Sequence, residues 1–97
     1  MTSSKQQQNE LTAFIQKTEC YLDQLVEHGN DQQLFIASYL QGHFAVEAGQ
    51  SQVQQMTQIK QLAELMDTSL TSAFSNQELS TDDQQQVFSL WQTLKSN

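Results

Sequence analysis

The sequence predicts an all-α protein, an antiparallel up-down four-helix bundle in one domain over residues 1–97. Three observations predict it. Proline is absent from the whole chain, so no residue of that kind forces a helix to end. Nineteen residues are glutamine; with leucine, alanine and glutamate they supply straight-chain side chains that lose little rotamer freedom in a helix. Apolar residues recur three and four apart in four separate segments joined by short polar stretches. No segment alternates with the period of a strand, and no unit repeats at the period of about 20 to 50 residues that marks a solenoid.

The first helix is expected over about residues 8 to 27, behind a disordered tail at residues 1–7. Leu11, Phe14, Ile15, Thr18, Leu22, Leu25 and Val26 make its apolar stripe. Gly29 is expected to close it in the left-handed conformation. The second helix starts at Asn30 or Asp31, where Asn30 caps and Gln33 reaches back, and runs to Ala48 with Gly49 as its stop. Its apolar residues do not keep to one face: Phe35, Tyr39 and Val46 take one side, Leu40 and Phe44 the other, and Leu34, Ile36 and Ala45 the flanks. Such a helix is central in a bundle, or is covered by a second subunit.

The third helix is expected to begin after Ser51, with Ser51 and Gln54 at capping-box spacing, and to run to about residue 75. Val53, Met56, Ile59, Leu62, Ala63, Met66, Leu70, Ala73 and Phe74 keep its period. Ser75 to Leu79 reads as a turn. The fourth helix follows a Ser80 or Thr81 cap, with Asp82 and Asp83 in its first turn and Lys95 near its negative end. Val87, Phe88, Trp91 and Leu94 form its expected core stripe.

Charge excludes several partners. Four lysines and no arginine face eleven acids, for a formal charge of −7. Affinity for nucleic acid rests on basic residues neutralising phosphates, and anionic membranes ask for the same. Neither partner is expected. The start MTSSKQQQN lacks the apolar stretch of a secretory signal, and Cys20 has no second cysteine to pair with. These features predict a cytoplasmic protein.

Candidate chemistry is sparse. His43 sits mid-helix with Tyr39 and Glu47 four positions to either side, so the three share one edge. The first expectation is a packing histidine whose ring nitrogens are satisfied; a ligand site formed by Tyr39, Gly42, His43 and Glu47 is the alternative. Gly42 carries the cost of a glycine inside a helix, which predicts close approach of another helix or an aromatic ring over its bare backbone. Cys20 falls opposite the apolar stripe of its helix and is expected on the surface, with Lys17 as its nearest basic neighbour. Trp91 is expected in the core, or as an anchor for a partner protein. No catalytic residue, cofactor or metal set is predicted: the calcium-loop pattern, nucleophile elbow, phosphate loop and paired cysteines are all missing.

Two runs of residues look familiar. Leu34-Phe35, Ser38-Tyr39-Leu40 and Gly42-His43, followed by Glu78-Leu79-Ser80, Asp83-Gln84, Trp91 and Leu94, resemble the YfcL family of small bacterial proteins over about residues 22 to 94. Thr81-Asp82 stands where a proline and a basic residue are expected. The resemblance implies a cytoplasmic protein of a gammaproteobacterium and transfers no catalytic or ligand residue. Together these readings predict a non-enzymatic protein–protein interaction module that meets a protein partner or a second copy through helix 2 or helix 4. The alternative is a small-ligand or metal-binding bundle centred on Tyr39, His43 and Glu47.

Overall fold

The computed structural model describes residues 9–96 and contains four helices: α1 (Glu10–His28), α2 (Asp31–Val53), α3 (Ile59–Ser75) and α4 (Thr81–Ser96). Among the described residues there is no strand, and the all-α bundle is as the sequence predicts. The tail expected at residues 1–7 lies outside the described residues. No described helix is long and apolar enough to cross a membrane.

Short polar side chains set the helix starts. Asn9 Oδ1 accepts from the Thr12 amide at 2.8 Å and opens α1. Asn30 and Gln33 form the expected reciprocal box at α2, each side chain accepting from the other's amide at 2.9 Å. Ser80 caps α4, accepting from Asp83 N at 3.2 Å.

The helix ends depart from the sequence expectation. Gly29 is extended (φ −78°), not left-handed. Glycine is required there by crowding: a Cβ would stand 2.5 Å from the Leu25 carbonyl oxygen and 2.8 Å from Gln33 Cβ. Gly49 does not stop α2, which continues to Val53. Ser51 falls on the core stripe of α2, fully buried, and its hydroxyl donates to Ala48 O at 2.7 Å. It therefore extends α2 instead of capping α3. Gln55, at φ 57°, reverses the chain, with Met56 N donating to Ser51 O and Gln55 N to Gln52 O. That is a Schellman closure with glutamine in the position glycine usually fills. Gln61 then accepts from the Thr57 and Gln58 amides ahead of α3.

α2 is the central helix, packing against α1, α3 and α4. Its core stripe is Ile36, Ala37, Leu40, Phe44, Ala48 and Ser51. Phe14, Phe44 and Trp91 meet in the middle with ring centroids 6.2–6.3 Å apart. Edge-on and tilted aromatic contacts of this kind add to what burial alone supplies. Leu22, Leu62, Met66 and Val87 complete the core with no exposed surface. In α4 the stripe is Val87, Trp91 and Leu94; Phe88, expected with them, is 45% exposed and lies in a shallow surface groove with Leu70 and Phe74.

Candidate functional site

The residues singled out in the sequence divide between two faces of α2. Tyr39, His43 and Glu47 follow one edge, where α2 meets α3. The Tyr39 and His43 rings lie 4.8 Å apart, and Tyr39 Oη donates to Glu78 Oε1 at 2.7 Å across the α3–α4 turn. Partial burial and the Glu78 carboxylate beside it push the Tyr39 phenol up to about 12. His43 Nδ1 and Ser69 Oγ share a hydrogen bond at 2.9 Å, tying α2 to α3.

A groove of about 370 Å³ opens here, lined by His43, Glu47, Thr68, Ser69, Ser72 and Glu78 among others. Ser69 with His43 has the composition of a nucleophile–base pair. A working pair needs the second imidazole nitrogen oriented by a third group. No hydrogen bond joins Glu47 to His43 among the described residues, and Glu78 is engaged by Tyr39. The contact ties α2 to α3, and no third group is hydrogen-bonded to the other imidazole nitrogen among the described residues. No group of three histidine, cysteine or acidic side chains converges to hold a metal among the described residues.

Gly42 does not join that groove. It lies on the outer face of α2, opposite the core stripe, and a Cβ on it would meet nothing within 4 Å. The close approach expected over its backbone is therefore not made by the described part of the chain. Gly49 is equally open. At 100° per residue, Phe35, Gly42, Val46, Gly49 and Val53 fall within about 60° of arc. Phe35 is 46%, Val46 66% and Val53 78% exposed. Ser38 and Ala45 flank them, also exposed, and Tyr39 borders the strip. Between Asp31 and Glu47, α2 carries no lysine, arginine, aspartate or glutamate. The result is a continuous uncharged face on a strongly acidic protein.

The other candidates resolve simply. Trp91 has no exposed surface; its indole N–H donates to Asp67 Oδ1 at 3.1 Å, and Lys95 Nζ sits 3.5 Å from the same oxygen. It organises the core and presents no surface in this fold. Cys20 is exposed, beside a small cavity formed with Lys17, Thr18, Tyr21 and Leu94. Sequence reasoning missed Ser69, which holds His43, and placed Val53 in the third helix, whereas it ends α2 on the same outward side as Phe35 and Val46.

A family model described as YfcL protein matches residues 12–96, nearly the whole chain. No curated protein and no solved structure matches the chain significantly.

Proposed function

The chain belongs to the YfcL family, and on that premise we propose a non-enzymatic protein interaction module that docks through the outer face of α2. The observation that carries this reading is the uncharged strip itself. Single exposed apolar residues are ordinary, but three large ones, Phe35, Val46 and Val53, aligned along one uncharged helix face mark an interaction surface. Phe35, Val46 and Val53 are held in line on the best-anchored helix of the bundle, so the face is rigid before it meets a partner. The charge of −7 keeps nucleic acid away and is compatible with a protein partner whose contact surface is itself uncharged.

Val46→Glu tests this. The side chain is outside the core, so the fold tolerates the change while a charge enters the middle of the strip. In gently lysed host cells, wild type is expected to elute above the 11.0 kDa of the bare chain and the variant at the bare-chain size. Identical elution of the two rejects the reading.

One observation favours a second reading, a small polar ligand in the groove beside His43. The Glu47 and Glu78 carboxylates and the Ser69 and Ser72 side chains all line it, which suits a hydroxylated or cationic molecule. Native mass spectrometry of wild type and His43→Ala separates the cases. A bound mass present in the first and lost from a still-folded second supports the ligand.

A further inference from the structure

The two open glycines of α2 carry the argument one step further. Glycine inside a helix is destabilising relative to alanine, and among the described residues neither Gly42 nor Gly49 has a contact or a left-handed φ that requires it. Bare backbone on an exposed helix face admits the side chains of a second helix at close range. The pattern on this face matches itself. Phe35 and Val53 stand nine positions either side of Phe44; Gly42 and Val46 stand two positions either side; Tyr39 and Gly49 stand five. Two α2 helices crossed antiparallel at that level bring every large residue against a glycine or against the other chain's apolar end.

Resting on the interaction reading above, we propose that the occupant of this face is a second copy of the chain, in a twofold dimer with antiparallel α2 helices. In it Val46 of each copy seats on Gly42 of the partner subunit, Tyr39 covers Gly49 of the partner subunit, and Phe35 packs on Val53 of the partner subunit. A twofold contact demands a self-complementary patch, and this strip is one. Charge is compatible with the same occupant. Two copies at −7 repel wherever acids meet, and the outer strip of α2 is a surface on which they approach without opposing like charges. Two such faces bury on the order of 1,000 Å² in total, the lower end for a specific interface, so the dimer is a weak, exchanging one. Because the contact is uncharged and the remainder repels, added salt tightens it.

The test uses sedimentation of the full chain over a wide concentration range, together with cysteine pairing in a Cys20→Ser background. Wild type is expected to pass from monomer to dimer, with a Kd that falls as salt is added. Gly42→Ala is expected to raise that Kd roughly tenfold by overpacking the crossing, without unfolding the monomer. Phe35→Cys mixed with Val53→Cys is expected to give the mixed disulfide. Phe35→Cys alone is expected to stay unlinked, because its two copies lie about 27 Å apart along the axis at eighteen residues of 1.5 Å. Efficient pairing of Phe35→Cys with itself overturns the antiparallel crossing. A wild type monomeric at every concentration overturns the dimer. If Val46→Glu nevertheless reduces the size of the complex in lysate, another protein occupies the face and the interaction reading survives. If it changes nothing, both fall.

Discussion

The three glycines of the chain make opposite predictions when each is replaced by alanine, and the structure supplies the signs. At Gly42 and Gly49 the new methyl meets no atom of the described residues within 4 Å. Nothing offsets the gain in helix propensity and the narrowing of the unfolded ensemble, so each substitution stabilises the monomer by about 0.5–1 kcal/mol. For a domain of this size that raises Tm by roughly 2–8 °C. At Gly29 the methyl would stand 2.5 Å from a backbone carbonyl oxygen and 2.8 Å from Gln33 Cβ. The α1–α2 corner must then open, at a cost of about 1–3 kcal/mol. The assay is urea unfolding followed by the fluorescence of Trp91, the only tryptophan and fully buried. It is run at low protein concentration, where association adds little to stability. A loss of stability in Gly42→Ala under those conditions would mean that something within the chain packs on its backbone. The reasoning that assigns that backbone to a partner would then be refuted.

Further predictions follow from the same geometry. In a Tyr21→Phe background, alkaline absorbance titration should place the remaining Tyr39 phenol at about 12, and Glu78→Ala should bring it down part of the way, since burial is the larger cause. The raised value means the folded state holds its proton longer, so this contribution is complete below the ordinary tyrosine pKa near 10. It is lost as pH climbs from there through about 12, readable as a falling unfolding midpoint. Gln55→Gly and Gln77→Gly, at φ 57° and 59°, should each stabilise by up to about 1 kcal/mol by relieving left-handed backbone, measured as a rise in Tm. Trp91→Ala should cost about 3–5 kcal/mol, comparable with the whole stability of a small domain, and circular dichroism should show a chain largely unfolded at modest urea.

Four helices, the central position of α2 and the Asn30–Gln33 and Ser80 caps were legible because each depends on local spacing. The α2–α3 boundary was not. Gly49 looks like a stop, but glycine ends a helix only when the chain turns there, and Ser51, two residues on, is drawn into the core at helical register. Glutamine then takes the left-handed position at Gln55, a choice that composition gives no reason to expect. Phe88 was misplaced although, at 100° per residue, it stands about 90° from the middle of the Val87, Trp91 and Leu94 stripe; its side chain lies in an open groove with Leu70 and Phe74. The candidate site split for a similar reason. Tyr39, His43 and Glu47 do share an edge, but Gly42 is more than one quarter-turn away from His43 around the helix and serves the outer face instead. The Ser69 partner of His43 comes from another helix, beyond the reach of spacing arguments.

The claim that function resides on the outer face of α2 is tested most directly by placing a photoreactive side chain at position 46 in the living host. An equivalent probe at position 64, exposed on α3, serves as the comparison. The account predicts protein adducts from position 46 and none above background from position 64. Silence at position 46, or equal labelling at both, would contradict it.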